Sequence, residues 1–103
     1  MKVEQHEDQA LVIPPERIDL TNAAKFKETL QSLYDQGYRI IVINCTNLAL
    51  MDSAGLGTLV MFQQKLKAQG GELKIVNVNH GYIRHLFKMI ELEKIIKISE
   101  ENS

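Results

Sequence analysis

The stretch Met51-Asp52-Ser53-Ala54-Gly55-Leu56-Gly57 decides how the rest of this chain is interpreted, because it stands where an irregular apolar segment gives way to a helix. A hydroxyl at a helix N-terminus lies beside free backbone N–H groups and the positive end of the helix dipole, where a phosphate is tolerated. The two glycines beyond Ser53 leave the surface around it bare, so another protein can approach the backbone closely. The pattern indicates a modifiable serine on a docking surface rather than a catalytic centre.

Strand and helix patterns alternate on both sides of this stretch. Apolar runs and alternations predict strands at residues 2–7, 10–13, 40–43, 72–75 and 95–98. Capping residues and helical spacing predict three helices: from Thr21 or Asn22 to Gln36, from about Ser53 to Gln69, and from an Asn79 cap through Ile83, Leu86, Phe87 and Ile90. Gly37 and the pair Gly70-Gly71 are expected to end the first two helices. Residues 44–51 are predicted to be a loop.

The resulting order, ββαβαβαβ, favours the α/β class. It predicts a mixed β-sheet whose right-handed crossovers place the helices mainly on one face. A chain of 103 residues has room for one domain, predicted over residues 1–103 with its core at about 9–99 and a loose tail at 100–103.

Composition and charge exclude several function classes. The net charge of −1 gives no basic field that would favour nucleic acid or an anionic membrane surface as a partner. Residues 1–8 are polar and acidic, unlike a signal peptide, and no apolar run approaches the roughly 18–20 residues needed to span a bilayer. The single cysteine, Cys45, lies in an apolar run and is expected to be a small buried hydrophobe. These features predict a cytoplasmic protein.

The motif resembles that of a known family. Asp52-Ser53-Ala54-Gly55-Leu56-Gly57 is similar to the Asp-Ser-(Ser/Thr/Ala)-Gly-Leu-Gly signature of STAS domains, in particular the small anti-sigma factor antagonists. Gly70-Gly71-Glu72-Leu73-Lys74-Ile75-Val76 is similar to the Gly-Gly segment and following strand of that family, and the resemblance extends over residues 11–99.

The resemblance implies a function and partners. It implies that Ser53 is phosphorylated by a serine kinase, a histidine-kinase-like ATPase that is also the anti-sigma factor. The unphosphorylated protein would bind this kinase and free the sigma factor, phosphorylation would break the complex, and a metal-dependent serine phosphatase would reset it.

The chain departs from the family pattern at two places. Asn44 stands where the family commonly has an aspartate after the central strand. Glu16-Arg17-Ile18-Asp19 stands where the family often has Gly-x-(Ile/Leu)-Asp, so Asp19 is kept and the glycine is not. These departures concern the partner and the rate of phosphorylation rather than the fold.

The spacing of residues also predicts the docking surface. Ser53, Gly57 and Met61 lie four apart, along one edge of the predicted helix and away from its inward line. Ala54 and Thr58 flank the same edge, and methionine is a soft apolar residue suited to an interface. The expected partner contacts are Asp52, Ser53, Ala54, Gly57, Thr58 and Met61.

Other interpretations stay open at this point. Ser53 fits the role of a plain N-cap, and Asp52 that of a cap or a solvated carboxylate. The spacing of His80 and His85 and the remote His6 do not favour a metal site, and no enzyme motif is present, so no cofactor and no catalytic residue are expected. The alternative function is a STAS accessory or signalling subunit of a non-sigma pathway, either linked to a phosphatase or associated with a transporter.

Overall fold

The computed structural model describes residues 1–100. Its strands are β1 (Lys2–His6), β2 (Gln9–Ile13), β3 (Arg17–Ile18), β4 (Ile40–Asn44), β5 (Leu50–Met51), β6 (Glu72–Val76) and β7 (Lys97–Ser99). Its helices are α1 (Ala23–Asp35), α2 (Ser53–Ala68) and α3 (Gly81–Met89), and one turn of 3₁₀ helix, Leu92–Lys94, precedes β7.

The main sheet has five strands in the order β1-β2-β4-β6-β7. β1 pairs antiparallel with β2 at one edge, and the other neighbours pair in parallel. The continuously apolar, β-branched β4 lies in the centre, as such a run predicts. The predicted mixed sheet is confirmed.

The helices cover one face of this sheet. Alternate strand residues point to that face and are buried in one core with the inward residues of all three helices: Ala10, Val12, Ile41, Ile43, Leu73 and Ile75 from the strands, and Phe26, Leu30, Leu33, Leu59, Phe62, Leu66, Ile83 and Phe87 from the helices. Their neighbours Leu11 and Lys74, which point the other way, are partly exposed. The predicted one-sided packing of the helices is therefore confirmed.

A second, two-stranded sheet joins β3 and β5 in parallel, with Ile18 opposite Met51. The segment 44–51 was predicted to be loop throughout, and this prediction is wrong at both ends, since Asn44 is the last residue of β4 and Leu50–Met51 form β5. Two-residue strands carry no periodicity, and their pairing depends on residues that are far apart in the chain.

The ends of α1 and α2 agree with their predicted positions to within one or two residues. Gly37 and Gly70, which follow α1 and α2, have φ values of 101° and 81°, in the left-handed region that glycine adopts without strain.

The ends of α3 differ from the prediction. His80, not Asn79, is its N-cap residue, because the first helical bond joins the Arg84 N–H to the His80 carbonyl. Ile90 follows the last helical residue and is 44% exposed rather than inward. Ile95 is exposed and Ile96 buried. The N–H groups of both donate to the Leu92 carbonyl of the 3₁₀ turn, so the last strand begins only at Lys97. Apart from Glu100, the predicted loose tail lies outside the described residues.

Candidate functional site

The short sheet sets the point at which α2 begins. The Asp52 N–H donates to the Ile18 carbonyl at 3.0 Å, which continues the pairing of β5 with β3 by one residue. Asp52 then has extended backbone angles, and its carboxylate Oδ1 accepts from the N–H groups of Ala54 and Gly55, both at 3.1 Å. Asp52 is therefore the N-cap, which confirms one of its two predicted roles.

Ser53 is the first helical residue, and the interpretation of Ser53 as the N-cap is wrong. Its side chain is exposed, one residue beyond the capping carboxylate. The hydroxyl therefore stands at the positive end of a helix of 16 residues, within reach of solvent.

The two glycines of the motif differ in what surrounds them. Gly55 is buried, and a Cβ added to it would lie 2.7 Å from Cγ of Met51 and 2.9 Å from Cγ2 of Ile18. Gly57 is exposed, and a Cβ there would meet nothing within 4 Å. Only Gly57 leaves the surface bare, so the sequence interpretation holds for Gly57 and is wrong for Gly55. Gly55 instead lets α2 pack closely against the short sheet.

A shallow groove of about 330 Å³ runs along the surface between α1 and α2. It is lined by Ala23, Ala24 and Lys27 of α1 and by Ala54, Gly57, Thr58 and Met61 of α2. The fold thus brings four of the six predicted contacts together and adds residues of α1 that spacing along one helix cannot reveal. Asp52 and Ser53 stand just before Ala54, at the N-terminal end of this groove.

Not all of the predicted contacts offer the same surface. Ser53, Ala54 and Gly57 are exposed, Asp52 is half-buried, and Met61 is half-buried against the core. Thr58 is only 7% exposed, and its hydroxyl donates to the Ala54 carbonyl at 3.0 Å. It therefore presents little of its side chain to a partner.

The loop between β3 and α1 is a feature that sequence analysis missed. Asp19 accepts from the hydroxyl of Thr21 at 2.5 Å and from its N–H at 2.9 Å, and these bonds hold the pKa of the Asp19 carboxyl below its usual range. Between them Leu20 is 88% exposed. The only sequence signal was one apolar residue placed between turn-forming residues.

The two departures from the family pattern have local explanations. Asn44 Oδ1 accepts from the N–H and hydroxyl of Thr46 at 3.0 and 2.5 Å, so its amide oxygen closes the turn after β4 as a carboxylate oxygen would. Glu16 does not have a positive φ value, so its backbone conformation does not require glycine at this position.

Residues 1–100 contain no group of three or more His, Cys, Asp or Glu side chains that could hold a metal ion. Over the same residues, no helix has both the length and the apolar character that crossing a bilayer requires. Cys45 is buried as predicted, and burial raises the pKa of its thiol to about 12.

Comparisons with known proteins agree with this geometry. The sequence model of the STAS domain matches residues 1–102. The anti-sigma-B factor antagonist of Bacillus subtilis is 35% identical over 100 residues, which are 97% of this chain and 90% of that protein. The corresponding antagonist of Staphylococcus aureus is 30% identical over 83 residues, 81% of this chain and 76% of that protein.

Solved structures share the fold. An anti-sigma factor antagonist from Mycobacterium paratuberculosis superposes with a TM-score of 0.84 at 19% identity, covering 98% of this chain and 85% of that one. The antagonist SpoIIAA in its unphosphorylated form gives 0.76 at 17% identity, covering 99% and 88%. Its phosphorylated Bacillus form gives 0.75 at 20% identity, covering 97% and 91%.

Proposed function

This chain belongs to the STAS domain family and to the anti-sigma factor antagonists within it, and we propose that it acts by partner switching at Ser53. In its unphosphorylated form it binds an anti-sigma factor, and phosphorylation of Ser53 releases it. The observation that carries the proposal is the exposed Ser53 hydroxyl on the first residue of α2, directly after the Asp52 cap and beside the α1–α2 groove.

The proposed switch is a local electrostatic one. A phosphoserine carries about −1.5 to −2 charges at neutral pH, and the N-terminus of α2 favours such a charge by about 0.3–1 kcal/mol, so the fold survives modification. In a packed interface the same group must lose its water, and the Asp52 carboxylate next to it adds like-charge repulsion. Losing about 2.7 kcal/mol of binding free energy would weaken the complex roughly a hundredfold, without a change of fold.

The proposed partners follow from the family. The anti-sigma factor is a histidine-kinase-like ATPase that phosphorylates Ser53, and a metal-dependent serine phosphatase restores the free hydroxyl. The chain itself supplies a surface and a phosphate acceptor rather than a catalytic group or a cofactor, and its place of action is the cytoplasm. The contacts proposed are Asp52, Ser53, Ala54, Gly57 and Met61, with Thr58 behind them.

The proposal is tested by incubating the protein with ATP and a purified histidine-kinase-like ATPase from the organism that encodes it, and by locating phosphate by mass spectrometry. Phosphate is expected on Ser53. Ser53→Ala should bind the ATPase as wild type does and resist release by ATP, whereas Ser53→Asp should bind more weakly.

Ser32→Ala is the matched control, because Ser32 is an exposed helical serine on α1 outside the groove lining. Its phosphorylation and release should match those of the wild type. Absence of phosphate at Ser53, together with wild-type binding by Ser53→Asp, would contradict the proposal and favour constitutive binding in an accessory subunit.

A further inference from the structure

We propose that Leu20 is the hydrophobic anchor of the docking surface and that it inserts into an apolar pocket of the anti-sigma factor. This inference rests on the function proposed above and names a contact of the same surface. Leu20 is 88% exposed, the highest exposed fraction among the large apolar side chains of residues 1–100. An isolated leucine this exposed loses contact with water only when another molecule covers it.

The loop holds Leu20 in this exposed position. Asp19 accepts the two hydrogen bonds from Thr21, and the Asn22 side chain accepts from the Asp19 N–H at 2.9 Å and donates to the Arg17 carbonyl at 2.8 Å. The N–H groups of Asn22 and Ala23 also donate to the Asp19 carbonyl. Residues on both sides of Leu20 are thus fixed, so a partner that binds it has little ordering entropy to overcome.

The pairing of β3 with β5 places this loop beside Ser53. Ile18 ends β3 opposite Met51, and its carbonyl accepts from the Asp52 N–H. Leu20 follows Ile18 by two residues, and Ser53 follows Asp52 by one. Both therefore leave the short sheet at the same end.

Leu20 and Ser53 also stand at the same end of the groove. Leu20 precedes Ala23 on the α1 wall, and Ser53 precedes Ala54 on the α2 wall. A partner whose ATP site reaches the Ser53 hydroxyl therefore approaches the end of the groove at which Leu20 lies.

The charge of the groove indicates what a complementary surface on the partner would carry. Lys27 is the only charged residue among those that line the groove. A pocket for Leu20 that is apolar at its centre and carries an acidic group towards Lys27 would match both features. The occupant is the anti-sigma factor of the proposed function, and a second copy of this chain is the alternative that the experiment must separate.

The test compares the affinities of Leu20 variants for the purified ATPase with ADP, by titration calorimetry. Leu20→Ser should bind at least tenfold more weakly than wild type, whereas Leu20→Met, which keeps an apolar side chain of similar volume, should stay within about threefold. Met89→Ser is the matched control, because Met89 is 67% exposed at the last residue of α3, outside the loop and the groove, and it should leave the affinity unchanged. Unchanged circular dichroism would show that the variants are folded.

Three results would overturn the inference, and they differ from one another. Wild-type affinity of Leu20→Ser would mean that the antagonist binds without this anchor, with the proposed function intact. A wild type that sediments as a dimer, with a monomeric Leu20→Ser of unchanged affinity for the ATPase, would assign Leu20 to a second copy. A wild type that neither binds the ATPase nor receives phosphate would overturn the proposed function and this anchor together.

Discussion

Gly55 and Gly57 show how two identical residues, two positions apart in one helix, serve different purposes. At Gly55 the fold itself requires the absence of a Cβ, because Met51 and Ile18 occupy the space. At Gly57 the fold does not require glycine, because a Cβ would meet nothing within 4 Å. Glycine inside a helix nevertheless costs about 1 kcal/mol of stability relative to alanine. A residue that weakens its own helix without an internal reason is better explained by something outside the chain, here the close approach of a partner.

Gly57→Ala is therefore expected to stabilise the protein and weaken its complex. The free energy of unfolding should rise by about 0.5–1 kcal/mol from helix propensity, while affinity for the anti-sigma factor falls at least threefold because the new methyl group enters the groove. Urea unfolding and titration calorimetry measure the two effects.

Gly55→Ala is the matched control for Gly57→Ala. It should lower the free energy of unfolding by about 1 kcal/mol or more, because its Cβ collides with side chains of the short sheet. A destabilised Gly57→Ala, or one that is stabilised and binds normally, would show that Gly57 does not face the partner.

At the scale of elements, long periodic segments were predictable and short or non-local ones were not. The five strands of the main sheet and the three helices carry periodic apolar patterns or continuous runs, so each could be assigned from sequence, with errors at the ends. The pairing of β3 with β5 escaped because two residues form no pattern. The cap of α3 was misplaced because asparagine is a common cap, whereas here His80 takes the position without a side-chain hydrogen bond.

The residues of the candidate site that lie on α2 could be predicted from the sequence, whereas the contribution of α1 could not. Ser53, Ala54 and Gly57 were placed on one edge by their spacing alone, and the structure keeps them exposed. The α1 wall of the groove depends on how α1 packs beside α2, and the position of Leu20 depends on the pairing of β3 with β5. No pattern within either helix contains these contacts.

Two substitutions of Asp52, the N-cap of α2, separate the effect of helix capping on stability from the effect of its charge. Asp52→Asn keeps an oxygen that can accept from the N–H groups of Ala54 and Gly55, so the free energy of unfolding should stay within about 0.5 kcal/mol of wild type. Asp52→Ala removes the cap and should cost about 1 kcal/mol. Chemical denaturation checks both values.

The two substitutions also separate the contributions to the switch. With Ser53 phosphorylated, Asp52→Asn should bind the anti-sigma factor more tightly than the phosphorylated wild type does, since one source of like-charge repulsion is gone. If the phosphorylated forms bound equally, the loss of affinity would come from desolvation of the phosphate alone.

At the scale of the whole molecule, the architecture keeps the site apart from the core. The main sheet buries its apolar face under the inward sides of α1, α2 and α3. Ser53 and the groove lie on outward surfaces of α1 and α2, and Leu20 lies in the exposed loop before α1. A charge added at the exposed first residue of α2 therefore meets solvent and the positive end of the helix before it meets any buried side chain. The likeness of this chain to SpoIIAA in both its unphosphorylated and phosphorylated forms agrees with a fold that is common to the two states.

Phosphorylation of Ser53 is accordingly expected to leave the fold unchanged. The Tm should change by no more than a few degrees, since the favourable interaction with the α2 N-terminus is worth at most about 1 kcal/mol and repulsion from the Asp52 carboxylate opposes it. Backbone amide chemical shifts should change around residues 17–23 and in the first turns of α2, and stay constant in β1 and β7 at the edges of the main sheet. The measurement is a pair of amide correlation spectra, with Ser53→Ala treated identically as the control. Shifts that spread to β1 and β7, or a fall in Tm of more than a few degrees, would mean that phosphate changes the conformation of the whole domain, and partner release would then need a different physical explanation.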